Sequence, residues 1–173
     1  DEYSIIEKGM HFDIIVSLLK IIKFNNEKDA YILYNLIQLL DGLSFYDSLD
    51  SVVGLAIQEL EKFEESQLRA KIGCDIFNAA GLAYLSSDKN KALISFLCVK
   101  QLLDKFLPKE EKALMAYYCN MGLAYSKIDF EKANQFLQEA LEREKQYYGE
   151  YSMEVADVYH NIGKNYLSIS DYE

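Results

Sequence analysis

NMGLAYSKIDFEKANQFLQEAL, residues Asn120–Leu141, is the stretch that decides the fold. Two other segments repeat its pattern: AAGLAYLSSDKNKALISFLCVK begins at Ala79, and NIGKNYLSISDYE begins at Asn161. A fixed period of this length indicates an array of structural repeats. Three glycines and three tyrosines recur at intervals of 41 residues: Gly81, Gly122 and Gly163, then Tyr84, Tyr125 and Tyr166.

The repeated unit is typical of two helices joined by a tight turn, which falls at Ile128–Asp129 in the middle copy. A glycine inside a helix costs about 1 kcal/mol relative to alanine, so a recurring one needs a packing reason. We predict that it lets the second helix approach the first closely. The second helix presents a stripe in which a large residue separates smaller ones: Ala133, Leu137 and Ala140 in one copy, and Ala92, Phe96 and Val99 in another.

This pattern resembles the tetratricopeptide repeat (TPR), which carries Gly and Tyr on helix A and Ala, a large apolar residue and Ala on helix B. The period of 41 residues exceeds the family's 34. It resembles the long-repeat variety found in kinesin light chains and bacterial peptide-sensing regulators. The likeness covers about residues 74–173, where the segment Ser168–Glu173 matches the family turn. It implies an all-α fold, a right-handed superhelix of antiparallel helix hairpins, or TPR-like α-solenoid.

We expect a single TPR-like array over the whole chain. It consists of degenerate helical repeats in 1–65, full repeats in 66–108 and 109–149, and a partial repeat in 150–173. In the degenerate part, apolar spacing predicts an amphipathic helix over 12–24 and further helices at about Ala30–Leu40 and Leu49–Phe63. The last repeat stops where its second helix would begin, so we expect a fragment of a longer protein.

Composition narrows the class of protein. The net charge of −10 disfavours direct nucleic-acid binding, which needs a basic face, and favours a basic or apolar peptide or protein as partner. There is no apolar run long enough for a membrane span, and the acidic N-terminus does not have the form of a signal peptide. Three cysteines without metal-ligand spacing predict reduced, buried thiols in a cytoplasmic protein, with a reactive thiol as the alternative.

The sequence carries no catalytic constellation. Its two histidines, His11 and His160, are far apart, and HExxH, CxxC, GxSxG and phosphate-binding glycine motifs are all missing. We therefore expect a protein that is not an enzyme and needs no cofactor or metal.

The resemblance implies that one face of every helix A lines a concave, peptide-binding groove. Asn120 and Asn161 occupy the same position in adjacent repeats, and an amide offers both a donor and an acceptor. Such a ladder can hold a peptide backbone, while Leu82 and Leu123 supply apolar pockets. The alternative is that these asparagines bond neighbouring helices. The implied groove residues are Asp75, Asn78, Ala79 and Leu82; Ala116, Cys119, Asn120 and Leu123; and Asp157, His160, Asn161 and Lys164.

The leading hypothesis is a non-catalytic scaffold that binds a protein or peptide in this groove. A narrower alternative is the peptide-sensing domain of a bacterial helix-turn-helix transcriptional regulator. Another is an oligomerisation adaptor that forms a homodimer. The TPR clamp for a chaperone's C-terminal carboxylate is not expected, because Asp157 and Asn161 stand where that clamp has Lys or Arg.

Overall fold

Seven α-helices make up the part of the chain that the computed structural model describes, residues 31–42 and 46–170. This part contains no β-strand, which confirms the predicted all-α class. The amphipathic helix predicted over 12–24 lies outside it. The helices are α1 (Tyr31–Gly42), α2 (Tyr46–Glu61), α3 (Gln67–Tyr84), α4 (Lys89–Phe106), α5 (Glu111–Tyr125), α6 (Phe130–Tyr148) and α7 (Met153–Ser170).

The end of α7 differs from the sequence prediction. A turn was expected from Ser168, but the helix continues through Ser170. In the earlier copies the aspartate four residues after the tyrosine, Asp88 or Asp129, caps the next helix. The residue at that position after Tyr166 is Ser170. The earlier equivalents behave differently, because α3 and α5 end at Tyr84 and Tyr125.

Side-chain caps begin the second helix of each full repeat. Asp88 accepts hydrogen bonds from the backbone N–H groups of Asn90 and Lys91, and Asp129 accepts one from Lys132. These bonds satisfy donors that have no partner inside the helix. At the other end of α6, Gly149 has a φ of 90°, a conformation that glycine adopts without strain.

Close contacts at glycine show how the hairpins pack. A Cβ built on Gly81 would lie 2.3 Å from Phe96, and one on Gly122 would lie 2.6 Å from Leu137. The predicted close approach is therefore confirmed at both positions. It is not found at Gly163, where a Cβ would meet no described atom within 4 Å.

The helices of a hairpin run antiparallel. Gly81 of α3 faces Phe96 of α4, whereas Gly73, earlier on α3, faces Leu102, later on α4. The predicted stripes fill the contact, because Ala92, Phe96, Val99, Ala133, Leu137 and Ala140 are all almost completely buried.

Each described helix packs on the next one, and side-chain bonds tie successive hairpins together. Asp50 of α2 accepts a hydrogen bond from the Tyr84 hydroxyl at 2.5 Å and pairs with Lys91 at 2.5 Å. The main core spans α1 to α5, while a second cluster joins α6 to α7. Among the described residues, no helix combines the length and the apolar character needed to cross a membrane.

Candidate ligand-binding groove

An amide pair joins the two first helices of the full repeats. The Asn120 Nδ2 of α5 donates to the Asn78 Oδ1 of α3 at 3.1 Å, and both residues are half-buried. With a period of 41 residues, the position equivalent to Asn120 is Ala79, which is buried and has no polar side-chain atom. Asn78, one position earlier, therefore supplies the partner. Ala79 contributes packing rather than ligand surface.

This bond is of the kind that the alternative interpretation of Asn120 requires, since it ties neighbouring helices together. It uses one amide hydrogen of Asn120 and one lone pair of Asn78. The Nδ2 of Asn78 and the Oδ1 of Asn120 make no hydrogen bond with other described residues. The pair therefore still offers a donor and an acceptor to a peptide.

Asn161 does not extend the pair within the chain. It is half-buried on α7, and no hydrogen bond joins it to Asn120 or to another residue in the described part of the chain. A ladder that includes Asn161 and Asn120 would therefore need a ligand that bonds to both amides.

A second polar contact lies between α5 and α6. The Cys119 thiol is 3.7 Å from the Glu144 Oε1, and Glu144 is only 8% exposed. Its Oε2 is buried without a hydrogen-bond partner among the described residues. Burial raises the pKa of Glu144, and the nearby carboxylates Glu154 and Asp157 raise it further, against the opposing effect of the Cys119 bond.

The same surroundings make Cys119 a poor nucleophile. Burial raises the pKa of its thiol to about 12, and Glu144 and Asp157 add to the shift. Burial likewise raises the pKa of Cys74 to about 12. Because the thiolate is the reactive form, both thiols react slowly at neutral pH. All three cysteines are free.

The remaining predicted groove residues differ in accessibility. Leu82 is 40% exposed and Leu123 is half-buried, so both can contact a ligand. Ala116, Asp157, His160 and Lys164 are exposed, and Asp75 is half-buried. No group of three or more potential ligands in the described residues is arranged to hold a metal ion.

Glu144 is the site residue that the sequence interpretation missed. The structure brings it beside Cys119 and near Asp157, two of the predicted groove residues. A signal was present, because Glu144 follows Leu137 by seven residues, or two helical turns, and so continues the buried stripe of α6. A charged residue at such a position marks either an ion pair or a neutralised acid.

Comparison of the chain with models of protein families, with curated proteins and with solved structures found no match. The described residues define an all-α protein of consecutive helix hairpins, with partly buried polar contacts between α3 and α5 and between α5 and α6.

Proposed function

We propose that this chain is a non-catalytic scaffold that binds a peptide or protein segment. The hairpins form a right-handed, TPR-like superhelix, and the ligand lies along its concave face. The scaffold acts in the cytoplasm and needs no cofactor. The observation that carries the proposal is the amide pair of Asn78 and Asn120, which leaves one donor and one acceptor for a ligand on adjacent helices.

The surroundings of the pair define the ligand. An extended backbone bonds to the amides, and Leu82 offers apolar surface beside them. Asp157 of α7 is an exposed acid, and the chain carries a net charge of −10. These features favour an extended segment in which basic and apolar side chains alternate.

Fluorescence anisotropy tests this proposal with labelled octapeptides that alternate leucine with lysine, serine or glutamate. We expect the lysine peptide to bind most tightly and to weaken as salt screens the charges. The Asn161→Ala variant isolates ligand binding, because Asn161 has no bond within the described chain. One lost hydrogen bond should weaken binding about two- to tenfold.

A second variant replaces both Asn78 and Asn120 with alanine. Its matched control replaces Gln135 and Gln138, two exposed amides of α6, in the same way. Thermal melts of each protein separate lost binding from lost stability. If the asparagine variants bind as well as the control per folded molecule, the amides are structural and the proposal fails.

One observation favours a second function, an oligomerisation adaptor. Helix α7 exposes apolar surface at Tyr159 (48%), Tyr166 (50%) and Leu167 (67%). A Cβ added at Gly163 would meet no described atom within 4 Å outside its own helix backbone. Such a patch suits contact with another helix. Light scattering distinguishes the adaptor from the peptide-binding scaffold. An adaptor should be a dimer that Tyr166→Glu converts to a monomer, whereas a peptide-binding scaffold should be a monomer in both forms.

A further inference from the structure

A cavity of about 300 Å³ lies on the other side of α3 from the proposed groove. Gly73 and Phe77 of α3 line it, whereas Asn78 and Leu82 belong to the groove. At 100° per residue, the two pairs point roughly 140° apart around the helix. The cavity is therefore distinct from the proposed peptide-binding surface.

The packing of three helices creates the space. Both α2 and α4 pack on α3, and ion pairs join the two at either end: Asp50 with Lys91, and Glu65, just after α2, with Lys105. Between these pairs α2 and α4 stand apart. The cavity occupies the gap near the Lys105 end, and its walls are mainly apolar side chains, among them Leu60, Phe77, Leu102 and Phe106.

The charged residues among the described lining of this cavity are two acids, Glu61 and Glu65, and two bases, Arg69 and Lys105. Arg69 donates one hydrogen bond to the backbone carbonyl of Phe63 at 2.7 Å, and its charge is one of the causes that lower the pKa of Glu65. Arg69 forms no ion pair with a described carboxylate. Lys105, by contrast, already pairs with Glu65 at 2.9 Å. A guanidinium has five N–H donors in a planar fork that matches a carboxylate, so Arg69 retains the capacity to bind an anion.

We propose that this cavity binds a medium-chain fatty carboxylate, with the hydrocarbon chain among the apolar walls and the carboxylate on Arg69. Ligand sites of this size are mainly apolar with a few polar groups that fix orientation. A cavity of about 150 Å³ holds benzene, so this one holds roughly a dozen non-hydrogen atoms. Decanoate has that size and charge.

Cys98 provides a direct report of occupancy. Its half-buried thiol lines the cavity, while Cys74 and Cys119 do not. Alkylation of the wild-type protein by iodoacetamide, followed by mass spectrometry, measures all three cysteines in one sample. Sodium decanoate should slow alkylation of Cys98 and leave the other two rates unchanged. An unchanged Cys98 rate at saturating decanoate overturns the proposal.

Calorimetric titration with decanoate then tests the head-group contact at Arg69 and the apolar cavity separately. Arg69→Gln should weaken binding roughly tenfold or more, as expected for a lost charge-assisted bond. Lys127→Gln is the matched control, because it removes an exposed positive charge that does not line the cavity. Cys98→Leu, which fills the cavity, should abolish binding.

Decanol and decylamine complete the experiment. Both should bind more weakly than decanoate, because neither offers a carboxylate to Arg69. Equal affinity for decylamine, or full affinity in the Arg69→Gln variant, refutes the assigned head-group contact. Peptide binding is measured separately on the asparagine variants. A failure of decanoate to bind would therefore refute the fatty-carboxylate site without contradicting the proposed peptide-binding function.

Discussion

Two glycines at the same position of the repeat meet different surroundings. Gly122 packs under Leu137, where an added Cβ would lie 2.6 Å from the side chain and 3.3 Å from the backbone oxygen of Ala133. Around Gly163 no described atom lies within 4 Å of such a Cβ. Adding a side chain should therefore change the stability in opposite directions at the two glycines.

We predict that Gly122→Ala destabilises the protein and that Gly163→Ala stabilises it. Overpacking at Gly122 should cost about 1–3 kcal/mol, whereas relief of glycine's poor helix propensity at Gly163 is worth up to about 1 kcal/mol. Urea denaturation of both variants measures this. A rise in stability for both would show that Gly122 does not mark a tight contact.

The second prediction concerns the buried carboxyl of Glu144. Its pKa is raised above the ordinary 4.5, so the folded protein holds this proton to higher pH than the unfolded chain does. The unfolding free energy therefore falls as the pH rises through 4.5 towards the folded-state pKa. Glu144→Gln mimics the protonated form and should be more stable than wild type at pH 7, with a smaller difference at pH 4.

Denaturant titrations at the two pH values test this. The control is Glu142→Gln, an exposed carboxylate on the same helix that forms no described ion pair. It should not change the pH dependence. A stability difference for Glu144→Gln that stays the same at both pH values would contradict a raised pKa at Glu144.

At the scale of the helix, the N-cap residue differs between α4 and α5. Asp88 caps α4 through two backbone N–H groups, while Glu110 at the corresponding position of α5 makes no side-chain cap bond. Glu110 instead pairs with Lys71 at the surface. Such exposed pairs contribute little to stability.

We therefore predict that Asp88→Ala lowers the unfolding free energy by about 1 kcal/mol, the usual value of a cap, and that Glu110→Ala has a much smaller effect. Thermal melts followed by circular dichroism at 222 nm measure both changes. Equal losses in the two variants would mean that the cap bond of Asp88 adds nothing.

At the scale of the whole molecule, the core is divided. Residues of α1 to α5 form one continuous apolar cluster, whereas α6 and α7 share a smaller one that touches α5 through Tyr118 and Cys119. Parts of a protein that pack in separate apolar clusters can open at different free energies, so such a division allows one part to open before the other.

Hydrogen exchange measured by mass spectrometry should show this order, with α7 exchanging before α3 and α4. We predict that Val158→Ala, in the smaller cluster, speeds exchange in α6 and α7 and leaves α3 and α4 unchanged. Val99→Ala, in the main cluster, should speed exchange in α3 and α4. If either substitution speeds exchange equally throughout, the described helices open as one cooperative unit.

The sequence by itself determined the helical class, the turn at Ile128–Asp129 and the glycine contacts at Gly81 and Gly122. These features follow from spacing along a single chain, because helical periodicity and turn chemistry are local. The end of α7 was mispredicted, since likeness to the earlier turns is not a local stop signal.

Only the tertiary structure decided what the polar side chains do. It paired Asn120 with Asn78 rather than with the residue one period away, buried Glu144 beside Cys119, and opened a cavity between α2 and α4. These outcomes depend on how far each helix is rotated and displaced against its neighbours. Side-chain volumes from several helices set those rotations together, so no single stretch of sequence contains them.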